Sequence, residues 1–172
     1  MKRPWEEILK ARLPLYGHRN WVVIADSAYP AHSGQAIETI VADEEQMTVL
    51  GRVFAILRGC KHVQPIVYTD KELKFVHDKD APGVGSYREK LGSVLSGHEI
   101  RVLPHDEIIS MLDRVGEKFR VLLIKTNMRI PYTSVFLELE CGYWNPEAEK
   151  WLRAAVRSDD RKRRSIRHLR KH

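Results

Sequence analysis

A single-domain α/β fold of three layers, with helices on both faces of a central, mostly parallel sheet, is predicted from three observations. Apolar runs of strand length alternate along the chain with segments whose apolar residues recur at helical spacing. With 172 residues at 43% hydrophobic composition, the chain can bury one core and is too short for two typical domains. Two of the strand-like runs stop abruptly at a polar residue, as strands do where a turn or helix takes over. The alternation leaves the strand order open.

Residues 4–15 place Trp5, Ile8, Leu9 and Leu13 on one helical face, and Pro14 predicts the end of that helix. The run 21–25 reads as a buried strand ending in Asp26 and a Ser/Ala/Pro turn. Residues 37–41 form a short strand, and 44–57 a helix whose core stripe is Met47, Leu50, Val53, Phe54 and Leu57. The run 63–68 contains Pro65, which predicts an edge or irregular strand. A polar, glycine-rich loop follows and becomes helical around Tyr87, Leu91 and Val94, with Gly97 as its stop. Its GVG lacks the preceding strand and glycine spacing of a dinucleotide fingerprint. Residues 99–104 read as a strand and 105–116 as a helix, with His105 at the junction. A strand over 119–125, a turn over 126–133 and an alternating strand over 134–139 complete the core. Residues 1–150 form the expected domain, and 151–172 a basic C-terminal helix or tail.

Charge and cysteine content exclude several function classes. The net charge is +6, yet the last twelve residues hold seven Lys or Arg and no acid, which leaves the body at −1. The positive field therefore belongs to the tail and not to a basic groove, so nucleic acid is an expected partner only through that tail. The tail reads as solvated or disordered, or as a contact for RNA, anionic lipid or an acidic surface. No apolar segment suits a signal peptide or a membrane span. Cys60 and Cys141 lack the spacing of a zinc or redox site and are expected as buried free thiols, which fits a cytoplasmic protein.

Polar residues at strand ends and in adjacent turns are the candidates for chemistry: His18 and Asp26, then His105, then Tyr132 and Ser134. In open α/β sheets ligands gather outside the carboxyl ends of strands, which favours Asp26 and His105 as binding residues. His32 is a further candidate for a substrate contact, with a loop hydrogen bond as the alternative. A metal site from His18, His32 and Asp26 is conceivable, but nothing in the spacing fixes a ligand set, and no metal is expected. His62, His77 and His98 carry no partner spacing and are given no role.

Three words, GHRNWVVIADSAYPAHS at 17–33, IRVLPHDEI at 100–108 and IPYTSVFLELECG at 130–142, together resemble the ribose pyranase and fucose mutarotase family. The resemblance covers most of residues 5–144. It implies His18 as the proton donor, Asp26 as a sugar-binding aspartate and His105 as a second substrate-binding histidine. Tyr132 and Ser134 fall in the family's Tyr-x-Asn motif, which here reads Tyr-Thr-Ser, so a shorter hydroxyl replaces an amide. The resemblance further implies a monosaccharide substrate, no cofactor, and a ring-shaped homo-oligomer, commonly decameric, with active sites completed across subunit boundaries. A catalytically altered sugar-binding or regulatory protein of the same fold is the alternative. The residue types suit ring opening on their own account, because a hemiacetal needs one proton delivered to the ring oxygen and one taken from the anomeric hydroxyl. A histidine with an ordinary pKa of about 6.5 does either near neutral pH.

Overall fold

The computed structural model describes residues 4–169, with side chains described through residue 163. Helix α1 (Pro4–Arg12) runs into a 3-10 turn at Leu13–Leu15, where Pro14 removes the amide that a further α-turn would need. The strands are β1 (Trp21–Ala25), β2 (Ile37–Val41), β3 (Val63–Asp70), β4 (Ile100–Leu103), β5 (Val121–Lys125) and β6 (Val135–Cys141). Between and after them lie α2 (Gln46–Arg58), α3 (Val84–Val94), α4 (His105–Gly116) and α5 (Pro146–Leu169).

The six strands form one sheet in the order β2-β5-β1-β6-β3-β4. Strands β1 to β5 all point one way, and β6 lies antiparallel between β1 and β3. The mostly parallel sheet is therefore mixed at its centre. In β1 all five residues are buried, and they alternate between two cores. Val22 and Ile24 meet Leu9 of α1, Leu50 and Val53 of α2 and Leu91 of α3 on one face. Trp21 and Val23 meet Ile108 and Leu112 of α4 on the other. This is the three-layer arrangement expected from the alternation of elements.

Three expectations need correction. Strand β3 is interior, not an edge, and extends two residues past Tyr68 to Asp70. Pro65 is tolerated because β4 pairs only with Val67 to Asp70, so β3 has a neighbour on one side only at Pro65. The last strand runs Val135–Cys141, which leaves Ser134 in the turn before it. Cys60 and Cys141 are free but only half-buried. Residues 151–172, expected as a basic helix or tail, fall largely within helix α5, Pro146–Leu169, which starts before them, and residues 170–172 lie outside the described residues. Gly97, the predicted helix stop, has a φ of +84°, which glycine adopts without steric cost.

Candidate functional site

The carboxyl ends of β1, β3 and β4 and the amino end of β6 meet at one edge of the sheet. A cleft of about 370 Å³ opens there, lined by Asp26, Tyr29, His32, Asp70, His105 and Tyr132 among others. Each side chain is placed by the element that ends beside it. Asp26 follows the last residue of β1, and its backbone N–H lies 3.3 Å from Ser134 Oγ. Burial raises the Asp26 carboxyl above its ordinary value, partly offset by the backbone amides of Tyr29 and Ala28.

Asp70 ends β3 with its side chain fully buried. Its Oδ2 lies 3.1 Å from His105 Nδ1, the geometry in which an ionised carboxylate accepts from the ring N–H. That bond directs Nε2, the other ring nitrogen, to serve as the proton carrier. Burial pushes the Asp70 carboxyl up to about 6, against the opposing pull of His105. His105 is the first residue of α4, and its backbone N–H donates to both carboxylate oxygens of Glu72, at 3.1 and 3.0 Å. Glu72 thus serves a helix start where the N-cap residue, Pro104, has no side-chain acceptor.

Tyr132 stands edge-on to His105, with ring centroids 5.5 Å apart. It has a φ of +60°, a conformation that costs a non-glycine residue on the order of 1 kcal/mol. The surrounding turn is braced to hold it. Gln46 of α2 and Tyr87 of α3 both donate to the carbonyl oxygen of Thr133, and the Thr133 hydroxyl donates to the Ile130 carbonyl at 2.7 Å. Gln46 is fully buried, so the turn is tied to helices on the far face of the sheet.

Three polar atoms around the cleft are buried with no hydrogen-bond partner among the described residues: Asp70 Oδ1, the Tyr29 hydroxyl and His32 Nε2. Native proteins leave few such groups, and three at one cleft are what a polar ligand would satisfy. Burial holds the Tyr29 hydroxyl well above its ordinary value, so it remains a donor. Among the described residues, no group of three or more His, Cys, Asp or Glu is arranged to hold a metal ion.

Of the residues named from sequence, Asp26, His32, His105, Tyr132 and Ser134 all line the cleft. His18 does not. It is exposed in the turn before β1, whereas Asp26 follows that strand, and the five residues between the two ends set them roughly 16 Å apart at about 3.3 Å per residue. Two histidines without an assigned role have structural partners. His62 Nε2 lies 3.0 and 3.1 Å from the Leu13 and Tyr16 carbonyl oxygens, and His98 stacks on Phe54. Asp70 and Tyr29 were not foreseen. Asp70 carries the same sequence signal as Asp26, an acid closing an apolar strand, here in VQPIVYTD.

Neither a protein-family model nor a curated protein matches the sequence. Among solved structures, the chain is similar to Bacillus subtilis RbsD complexed with D-ribose, at a TM-score of 0.53 and 22% identity, over 77% of this chain and 91% of that one. It is similar to FucU from Bifidobacterium longum at a TM-score of 0.50 and 16% identity, over 78% and 94% of the two chains. The fucose mutarotase in complex with L-fucose from Streptococcus pneumoniae aligns at 0.49 and 18% identity, over 78% and 91%. At these identities the likeness is one of fold.

Proposed function

We propose that the protein is a monosaccharide ring-form isomerase, a pyranase or mutarotase, that opens and recloses an aldose by histidine acid/base chemistry without a cofactor. The observation that carries this reading is the buried Asp70 carboxylate on His105 Nδ1, in a cleft that also presents Asp26 and Tyr132. Ring opening needs a proton at the ring oxygen and the loss of one from the anomeric hydroxyl. His105 Nε2 is oriented for one transfer, while Asp26 holds a sugar hydroxyl and Tyr132 donates to a sugar oxygen or stacks on the ring. General acid/base catalysis contributes about 10²- to 10⁴-fold, enough for a reaction that already proceeds in water. The fold shared with sugar-bound RbsD supports the substrate class.

His18 is the proposed proton donor, and within one chain it lies at the other end of β1 from the cleft. The proposal therefore includes a homo-oligomer in which a second copy brings its His18 to this cleft, in keeping with the ring-shaped assemblies the sequence resemblance implies. A cytoplasmic location is part of the same reading. No helix among the described residues is long and apolar enough to cross a membrane.

A second reading has one specific observation in its favour. Ser134, which stands at the family's Asn position, is buried at the cleft and its hydroxyl accepts from the Asp26 amide at 3.3 Å, so a short hydroxyl already engaged with the backbone replaces a longer amide. A sugar-binding protein with altered turnover follows from that loss. Saturation-transfer NMR on ribose, fucose, galactose and glucose separates the two readings, with wild type compared to His18→Ala and His105→Ala. Accelerated exchange lost in both variants is the expected result, whereas binding without acceleration favours the second reading. Acceleration that survives His18→Ala at full rate removes the shared site.

A further inference from the structure

The cleft holds a second group of polar atoms that ring opening by itself does not use. Tyr29 and His32 belong to the loop after β1, with ring centroids 5.9 Å apart, and Tyr29 packs edge-to-face with Phe136 of β6 at 6.4 Å. Both line the cleft, as does Asp70. Tyr29 is only 6% exposed, yet its hydroxyl has no hydrogen-bond partner among the described residues, and neither do His32 Nε2 and Asp70 Oδ1. A buried polar atom without a partner is destabilising, so three in one cleft point to a ligand atom that completes them.

The three atoms differ in what they can bond. Burial first, and then the carboxylates of Asp113, Asp70 and Asp26, keep the Tyr29 hydroxyl protonated and therefore a donor. Asp70 Oδ1 is the acceptor left over once Oδ2 has taken the His105 ring N–H. His32 Nε2 serves either way, according to its tautomer. A hydroxyl both donates and accepts, so it satisfies such a set. A carboxylate or phosphate would set negative charge against Asp26 and Asp70, and an ammonium offers the Tyr29 hydroxyl no acceptor.

The acceptor's place says which hydroxyl. Asp70 orients His105, whose Nε2 serves the ring oxygen or the anomeric hydroxyl. In an aldohexopyranose the ring oxygen is flanked by the anomeric carbon and by the carbon that carries the hydroxymethyl group, so that group lies beside the reacting atoms. Its oxygen stands one bond further from the ring than a ring hydroxyl and turns about that bond, which lets it reach atoms that are themselves buried.

We propose that Tyr29, His32 and Asp70 form a subsite for the primary hydroxyl of a neutral aldohexose, and that this chain thereby selects hexoses over 6-deoxy sugars and pentopyranoses. The subsite rests on the sugar-binding reading of the cleft and adds the class of sugar to it. Tyr29 is its specificity-determining residue. A sugar with a methyl group or a hydrogen at this place leaves all three atoms buried and unpaired, which is how a site built to bond a hydroxyl rejects an analogue that lacks it.

The test uses sugars that differ only in that hydroxyl: D-galactose and D-fucose, L-galactose and L-fucose, D-glucose and 6-deoxy-D-glucose. Dissociation constants are measured by titration calorimetry for wild type and Tyr29→Phe, with ring exchange followed by saturation-transfer NMR on the same samples. In the pair that binds most tightly, the hexose is expected to bind wild type at least about tenfold more tightly than its 6-deoxy partner. Tyr29→Phe keeps the ring that packs on Phe136 and His32 and removes only the hydroxyl. It is expected to lower that ratio at least about fivefold by two opposite changes, weaker binding of the hexose and tighter binding of the 6-deoxy sugar, whose methyl group no longer faces an unpaired hydroxyl. A tyrosine with a packing role alone would shift both sugars in the same direction. Equal binding within every pair by wild type overturns the proposal whether or not the variant folds, and so does a ratio that Tyr29→Phe leaves unchanged. Calorimetry reads the subsite without turnover, so hexose preference without accelerated exchange keeps the subsite and removes the isomerase reading. Accelerated exchange without preference does the reverse, and absence of binding by all six sugars overturns both.

Discussion

Replacing Asp70 by Asn should make the protein more stable and less active, and both effects should be tied to one titration. Asp70 is buried and its carboxyl is raised from 3.8 to about 6. As pH rises, the unfolded chain gives up this proton first, so between about pH 4 and 6 the folded state binds more protons and stability falls. At about 1.4 kcal/mol per tenfold change in proton affinity, the gap between 3.8 and about 6 amounts to ~3 kcal/mol, reached in full above pH 6. An amide of the same shape has no charge to bury. Asp70→Asn should therefore match wild type near pH 4 and exceed it by up to ~3 kcal/mol at pH 7. Urea denaturation at pH 4, 5, 6 and 7 measures this, and subtracting the two profiles cancels every other titrating group.

Activity should respond in the opposite sense. The ionised carboxylate fixes the His105 tautomer that leaves Nε2 free, so sugar-ring exchange should rise through about pH 6 in wild type and lose that step in Asp70→Asn. Stability spent on a charged group at a cleft is the usual mark of function. Parallel stability profiles for the two proteins, or a less stable variant at pH 7, would refute the claim that Asp70 is held ionised against its burial.

Three further outcomes follow from the same geometry. His18→Ala should leave the urea midpoint unchanged, because the side chain is exposed, while removing ring exchange in the NMR assay. Tyr87→Phe removes one of the two donors to the Thr133 carbonyl and should cost about 1 kcal/mol by thermal unfolding. It should also weaken sugar binding, read by titration calorimetry, because the turn that holds Tyr132 loosens. Ser134→Asn should cost about 1–3 kcal/mol from overpacking at a buried position, and on the isomerase reading it should increase exchange despite that cost.

The strands and helices were legible where burial leaves a local pattern. WVVIA in β1 is apolar throughout because both of its faces are covered, and the stripe Val53, Phe54 and Leu57 in α2 repeats because only one face is. Asp26 and His105 were legible for a related reason, as polar residues that interrupt a strand or start a helix. Asp70 obeys the same rule and was missed because Pro65 made β3 look like a broken edge ending at Tyr68. The information that rescues Pro65, that β4 reaches only as far as Val67, lies in the pairing and not in the strand's own sequence. His18 illustrates the converse. Seven residues separate it from Asp26, and that closeness in sequence becomes separation in space once five of them extend as a strand.

The position of β6 decides which residues become neighbours, and no alternation of strands and helices encodes it. A sixth strand parallel to the others would begin at the end of the sheet where His18 lies, and Tyr132 and Ser134 would stand apart from Asp26 and His105. Inserted antiparallel between β1 and β3, β6 instead begins where those strands end, so its leading turn closes the cleft between Asp26 and Asp70. The exposed end of that turn is free to carry Tyr132 in a strained conformation because its buried end, Thr133, is held by Gln46 and Tyr87 from the opposite layer. Gln46 is fully buried, and its Nε2 bonds the Tyr87 hydroxyl and the Thr133 carbonyl while its Oε1 has no hydrogen-bond partner among the described residues, a cost that marks it as more than core filling. It couples the packing of α2 to the shape of the cleft, so substitutions on the far face of the sheet should reach the site through Thr133 before they reach it through Asp26.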